Sequence, residues 1–299
     1  MEVQEQVGIR YRDDNLPLIV RILKRIRTFI VRKPLGAAGG GIIVVMALLA
    51  IFAPIIARDP VEWFFKDRLQ GPSFNYFMGT DDLGRDLWAR IVHGARISLY
   101  VGFLAVGFGS GTGGVLGVVS AFYGGKVDIG IQRMMDAMMS IPTLIMALTI
   151  MAALGTSLNN VVIAIGVVQI PRANRVVRSQ ALAVKQSEFA LAAQAIGCTD
   201  LRIMALHIFP QCIAPWLIIA SAGLGTAIIS EASLSYLGMG VPPPAPTWGG
   251  MLSGRGREYW QVAPWMAIWP GLAISMAVYG FNLFGDALRD VLDPRLRGT

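Results

Sequence analysis

Charge and cysteine are the two things this chain is short of. Of its 299 residues only 15% are Asp, Glu, Lys or Arg, where a soluble domain carries about 25%. With 54% apolar residues and a mean hydropathy of +0.56, that deficit excludes an ordinary soluble globule and points to a polytopic membrane protein. Two cysteines, Cys198 and Cys212, cannot build a disulfide framework, and their spacing matches no zinc pattern. A reduced pair of buried thiols is the expectation. The two histidines, His93 and His207, fall on opposite sides of the expected membrane, and no Ser and Asp are arranged with them for nucleophilic work. No enzyme is expected. Nucleotide motifs are missing as well. Gly109 to Gly114 formally satisfies G-x-G-x-x-G, but no strand precedes it, and Gly124-Gly125-Lys126 lacks the upstream Gly and the Ser/Thr of a P-loop. The net charge of +7 does not imply nucleic acid, because the basic residues form no aromatic-interleaved patch. They cluster beside apolar runs, the footprint of membrane orientation.

What is present is a set of long charge-free stretches, at 34–57, 97–125, 137–171, 203–230 and 259–285. A spanning helix needs about 20 residues. The third stretch, 35 residues, is too long for one helix and has a turn-like centre, Gly155-Thr156-Ser157-Leu158-Asn159-Asn160, so it reads as a helical hairpin. That makes six spans, the weakest being about 160–177, where Pro171, Arg172 and Arg175 enter its end. With both ends in the cytosol, the inner segments hold 18 Lys and Arg and the outer segments 8, as the positive-inside rule requires. The expected fold is all-α and polytopic, in the cell (inner or plasma) membrane. Residues 1–33 form a cytosolic tail, 34–57 the first transmembrane helix and 58–96 an extracytoplasmic loop. Residues 97–288 form a core of five helices with a cytosolic loop at 178–210, and 289–299 a second cytosolic tail. The first tail threads Leu18, Ile19, Ile22, Leu23, Ile26, Phe29 and Ile30 among its basic residues, which predicts an amphipathic helix along the headgroups. A cleavable signal peptide is disfavoured, because the charged region is too long and the apolar run after it too extended.

Several polar groups stand out against this background. Asp81, Asp82 and Asp86 lack calcium-loop spacing. Asp82 is expected to cap a short helix whose Leu87, Trp88, Ile91, Val92 and Ala95 face the membrane interface. In the glycine-rich second span, Gly107/Gly111, Gly109/Gly113 and Gly113/Gly117 are small-x-x-x-small pairs for close helix packing. Arg133 and Asp136 at the cytosolic mouth of the third span read either as an ion pair or as snorkelling interface charges. Glu231 follows a charge-free run of 28 residues. A carboxylate there is costly unless paired or wet, and it reads either as a pathway or gate residue or as a structural partner to a helix end. The loop VPPPAPTWGGML is stiffened by its prolines and is expected outside, as a seat for a partner or a plain connector.

The most distinctive stretch is Glu188 to Pro210, EFALAAQAIGCTDLRIMALHIFP. Phe189, Ala192, Ala193 and Ile196, with Leu191 beside them, give a small-residue apolar face at helical spacing. Gly197 breaks the helix, and Thr199 or Asp200 can cap a second short helix, Leu201 to Ile208, before Pro210. Such a surface lets another protein's backbone come close. The segment resembles the "EAA" loop of permease subunits of binding-protein-dependent ABC importers, with Ala192, Ala193, Gly197 and Pro210 at the motif's spacing. Leu191 stands where many members have Glu, a departure shared with the dipeptide/oligopeptide branch, and His207 stands where Ile is usual. GTDDLGRD followed by GARISL is similar to the opening signature of the C-type permease subunit of dipeptide, oligopeptide and nickel importers. EASLSYLGMG and GDALRDVLDPRL fit the same branch, and the likeness runs from about Pro34 to Arg297.

This resemblance implies a type I ABC importer permease fold, paired with a second, non-identical permease subunit. Two ATPase subunits would bind the ATP, and a substrate-binding protein would capture solute outside. Phe189, Ala192, Ala193, Gly197, Asp200, Leu201 and Pro210 would form the ATPase-coupling loop. The solute is expected to be a di- or oligopeptide, and because specificity would rest largely on the capture protein, nickel, glutathione or another small solute stand as alternatives. Two rivals from other classes stand beside it. A self-contained secondary transporter would need intramembrane carboxylates paired across an inverted repeat, and only Glu231 offers one. A structural or assembly protein would leave the 188–210 surface without a purpose.

Overall fold

The computed structural model describes residues 18–253 and 255–292. The expectations for residues 1–17, and for Arg295 and Arg297, lie outside them. Apart from one isolated bridge between Thr80 and Asp86, every regular element among the described residues is helical. The helix α1, Leu18–Arg32, forms where the amphipathic segment was predicted, although the side chains of Leu18, Ile19, Ile22, Leu23 and Ile26 are outside the described set. Next comes α2, Pro34–Ile56, started by proline at its first position, where the missing N–H costs nothing. An irregular segment then leads to α3, Leu87–Tyr123, followed by α4, Gly125–Met139, α5, Thr143–Leu154, and α6, Leu158–Lys185. Beyond these lie α7, Glu188–Ala195, the short α8, Asp200–Arg202, a π-helical turn, Ile203–Ile208, and α9, Phe209–Tyr236. The short helices α10, Trp248–Leu252, and α11, Arg255–Glu258, precede α12, Trp265–Leu292.

Among the described residues four helices are long and apolar enough to cross a membrane: α2, α3, the continuous rod Asp200–Tyr236, and α12. The fold is that of a polytopic α-helical membrane protein. The hairpin predicted inside the 35-residue run is present. Gly155 adopts a φ of +82°, and the Ser157 hydroxyl accepts the Asn160 N–H at 3.2 Å to start α6. The segment before it is not one straight span, however. α4 and α5 meet at 94° across Ser140–Pro142, because the ring of Pro142 excludes the helical conformation from Ile141. α5 alone is about 18 Å long, so only the bent pair together can count as a fifth crossing. α6 is about 42 Å long and has the reach of a span, but Arg172, Arg175, Arg178 and Lys185 occupy its second half.

The core is built on close helix contact. α3 and α6 make the densest pairing in the molecule, because glycine on α3 lets the two backbones approach. A Cβ on Gly109 would lie 2.2 Å from the Gly166 carbonyl oxygen, one on Gly113 2.4 Å from that of Ile170, and one on Gly117 2.8 Å from that of Asn174. Of the predicted small-residue pairs, 109/113 and 113/117 therefore form the seam. Gly107 and Gly111 face open space, on the other side of the helix. Three tryptophans fasten further layers by indole N–H bonds to carbonyl oxygens. Trp216 on α9 donates to Ser110 at 2.9 Å, Trp248 to Ile91 at 3.0 Å, and Trp265 to Thr80 at 3.1 Å.

The segment before α3 corrects the expectation for Asp82. Asp86 is the N-cap instead, accepting the Trp88 N–H at 3.0 Å, and the helix it starts is not short but runs 37 residues. Leu87, Ile91, Val92 and Ala95 are buried within the protein, not turned to the interface. No charge-free window marks this outer turn of α3, because Arg90 and Arg96 interrupt it. Asp81 serves the turn itself, accepting from the Leu83 and Arg85 N–H groups at 2.9 Å and from the Arg85 side chain at 2.6 Å. Nearby, Tyr76 donates its hydroxyl to Asp67 at 2.7 Å, and that bond to a carboxylate holds the phenol above its ordinary pKa of 10.0.

Candidate functional site

At the end where α6 stops, α7 and the turn after it form a projecting knob. Gln186 and Ser187 turn the chain, and Glu188 opens α7 with a negative charge in its first turn, where the helix dipole favours it. The helix ends in a Schellman closure. Gly197 N–H reaches the Gln194 carbonyl at 3.0 Å and Cys198 N–H the Ala193 carbonyl at 3.1 Å, with Gly197 at a φ of +81°, a conformation that favours glycine.

Ala190 and Ala193 are buried in α7, and Ala193 belongs to a cluster that includes Val177, Ala181, Ile203 and Ile208. Phe189, Leu191, Ala192 and Ile196 point outward, as do Asp200 and Leu201 after the turn. Ile196 is 81% exposed and Leu201 73%, so these aliphatic side chains are left largely uncovered by the described residues. The structure thus divides the predicted face: Phe189, Ala192 and Ile196 stay on the open side, while Ala193 belongs to the packed side. One residue of phase separates the two, about 100° on a helix, and only the neighbouring core selects between them. Cys198 is half-buried and Cys212 buried, both as free thiols.

The second short helix does not stop before Pro210. The chain runs unbroken from Asp200 to Tyr236, and Thr199 stands at the N-cap without a side-chain bond. Pro210 is accommodated because the preceding turn widens, with Phe209 N–H reaching back five residues to the Met204 carbonyl. That π geometry relieves the clash a proline ring makes with an α-helical carbonyl.

A polar lock lies beside the knob. Arg178 on α6 holds Asp128 on α4 through two bonds, at 2.7 and 2.6 Å. Asp128 also receives the Ser120 hydroxyl of α3, and Gln132 bridges Ser120 to Asn174. Asp136 pairs with Arg175 of α6 at 2.7 Å and not with Arg133. Sequence spacing carried no signal for a partner 39 residues away.

Toward the other end, Glu231 on α9 is fully buried. Its carboxylate accepts the Ser235 hydroxyl at 2.8 Å and the Ser98 hydroxyl of α3 at 3.4 Å. A cavity of about 560 Å³ opens between α5, α6 and α9, lined among others by Ser110, Met146, Gln169, Arg172, Thr226 and Ser233. Glu231 is not among its lining residues. A second, wider cavity of about 1050 Å³ lies toward the α7 end between α6, α9 and α12, and Arg172 lines both. The first of these was not anticipated, since its wall is assembled from α3, α4, α5, α6 and α9, whose polar residues are scattered in sequence.

Comparison with known proteins agrees with this layout. Residues 113–298 match the family model described as binding-protein-dependent transport system inner membrane component. Residues 23–72 match one described as the N-terminal TM domain of oligopeptide transport permease C. The dipeptide transport system permease protein DppC of Alkalihalophilus pseudofirmus is 43% identical over 267 residues, which are 89% of this chain and 88% of that protein. A putative peptide transport system permease protein of Brucella suis is 40% identical over 257 residues, 86% of each chain. The glutathione transport system permease protein GsiD of Escherichia coli is 39% identical over 269 residues, 89% of this chain and 88% of that protein.

Proposed function

The chain belongs to the family of binding-protein-dependent transport system inner membrane components, a family of membrane permeases and not of enzymes, and on that premise we propose that it carries peptides inward through an ATP-driven importer. It pairs with a second permease subunit. ATP is bound and hydrolysed by two separate ATPase subunits, and solute arrives from an extracytoplasmic binding protein. The observation that carries this reading is the knob: Phe189, Ala192, Ile196 and Leu201 hold apolar surface outward on a rigid, Schellman-closed helix. Exposed apolar side chains concentrated on one element mark a protein contact. The knob is the site where an ATPase grips, with Asp200 at its edge and Pro210 on the rod behind it. Ala193 supports it from beneath, and Gly197 sets its shape.

On this reading α7, both termini and the wider cavity face the cytosol. Closure of the ATPases pulls the knob, and the pull reaches the spans through the unbroken rod Asp200–Tyr236 and the Arg178–Asp128 lock. Glu231 holds the outer parts of α3 and α9 together through Ser98 of α3, with Ser235 on its own helix steadying the carboxylate, as a gate-holding group. The peptide class is supported by the names of the relatives, and glutathione, itself a tripeptide, falls within it.

Reconstitution with and without candidate ATPases tests the proposal. Binding-protein-stimulated ATP hydrolysis and peptide uptake should both require the complete complex. Uptake that persists in vesicles without any ATPase and follows an ion gradient would overturn it in favour of a secondary transporter.

A further inference from the structure

The membrane cavity is chemically lopsided. Arg172 is the one charged group among its described lining residues, and no Asp or Glu faces it there. Among the described residues Arg172 makes no ion pair. Gln169 lies three positions earlier on α6, hence on the same helix face. Its amide nitrogen is buried without a hydrogen-bond partner among the described residues, and its amide oxygen is seated against Gly223 of α9, where a Cβ would approach to 2.7 Å. A buried donor left unpaired is unfavourable, so this amide has a hydrogen to offer an acceptor that the described residues do not supply.

The facing wall is of the opposite kind. Thr226, Ser230 and Ser233 each spend their hydroxyl hydrogen on a carbonyl of their own helix, at 2.9, 2.9 and 2.7 Å, which leaves oxygen lone pairs toward the cavity. The wall on α6 donates and the wall on α9 accepts. The donors lie at the threshold to the wider cavity, because Arg172 lines both spaces.

We infer that Arg172 and Gln169 form a recognition site for the carboxylate of the transported solute, at the exit from the membrane cavity. This inference rests on the peptide-import reading above. A carboxylate leaving water for a membrane-level cavity must be paired there, and a guanidinium is suited to it because its planar fork donates to both carboxylate oxygens. An amide donor beside it serves the same carboxylate or the last peptide carbonyl, while the hydroxyl oxygens opposite accept peptide N–H groups. The free C-terminus of a peptide meets these demands, and it is handed toward the α7 end as it passes Arg172. The site makes the permease itself selective, in addition to the binding protein.

The experiment uses the complete complex in proteoliposomes, with tri-alanine and its C-terminal amide each delivered already bound to the binding protein at equal occupancy. The readout is the ratio of free-acid to amide uptake, which cancels differences in expression and assembly. Arg172→Gln is expected to lower the ratio about tenfold, Arg172→Lys to restore at least a third of it, and Gln169→Leu to lower it about threefold. An unchanged ratio in Arg172→Gln, or a loss not rescued by Lys, overturns the carboxylate site while leaving peptide import standing. If the wild-type complex takes up neither probe, although its ATPase responds to the binding protein, both readings fall.

Discussion

Gly113 and Gly111 lie two residues apart on α3, and the same substitution at each should give opposite results. At Gly113 an added Cβ would sit 2.4 Å from the Ile170 carbonyl oxygen, 2.9 Å from the Ala173 Cβ and 3.0 Å from the Asn174 backbone nitrogen. Two of these atoms are backbone, so no side chain can swing aside. To reach ordinary contact, α3 and α6 must part by about 1 Å, which loosens dispersion contacts along the seam. Overpacking of this kind costs about 1–3 kcal/mol. The better helix propensity of alanine returns up to about 1 kcal/mol. The net expected for Gly113→Ala is about 2 kcal/mol of destabilisation at most, or a melting temperature lower by about 4–8 °C. At Gly111 no atom lies within 4 Å, so Gly111→Ala has only the propensity term and should be neutral or slightly stabilising. Thermal unfolding of the two variants in one detergent makes the comparison. Equal shifts would refute the argument that backbone contact across this seam holds the pair together.

Gly197→Trp should leave membrane insertion and pairing with the second permease intact while abolishing ATPase capture in a pulldown. The added ring meets open space within the chain but covers the knob and strains its left-handed turn, so normal ATPase capture would count against the knob as the gripping site. Arg178→Gln should cost about 1.5–3 kcal/mol, the worth of hydrogen bonds to a charged group, as a lower melting temperature. Arg178→Lys should recover only part of it, because an ammonium cannot make both bonds to Asp128; full recovery would show that the paired geometry is unimportant. Glu231→Leu should destabilise by about 1–3 kcal/mol by leaving the Ser98 and Ser235 hydroxyls without their acceptor. Glu231→Gln keeps an acceptor, should melt closer to wild type and should change uptake more than assembly; matching losses of stability in the two variants would refute this. For Tyr76 the folded pKa is raised, so the stability from its bond to Asp67 is complete below pH 10.0 and is lost as pH climbs through the folded value. Tyrosinate absorbance of wild type minus Tyr76→Phe should titrate later than free tyrosine, and a difference curve at or below pH 10.0 would contradict the assignment.

Local chemistry accounts for most of what could be read without coordinates. Apolar runs set α2, α9 and α12, because burying or lipid-facing every turn is a property of the run itself. Gly155 and Gly197 stop helices through their own backbone freedom, and the outward Phe189, Ala192 and Ile196 follow from one helical period. Where neighbours in space decide, the sequence was silent or misleading. Asp82 and Asp86 are equally good caps on paper, and the bridge between Thr80 and Asp86 selects the second. Ala192 and Ala193 are chemically identical, and only the cluster beneath α7 makes one support and the other surface. The partner of Asp136 is fixed only once α4 lies against α6, and the two cavities that share Arg172 exist only where helices from distant parts of the chain converge. Periodicity and composition are sums over adjacent residues, whereas such choices depend on pairwise distances between segments far apart in the chain, and those distances are defined only after the helices have packed.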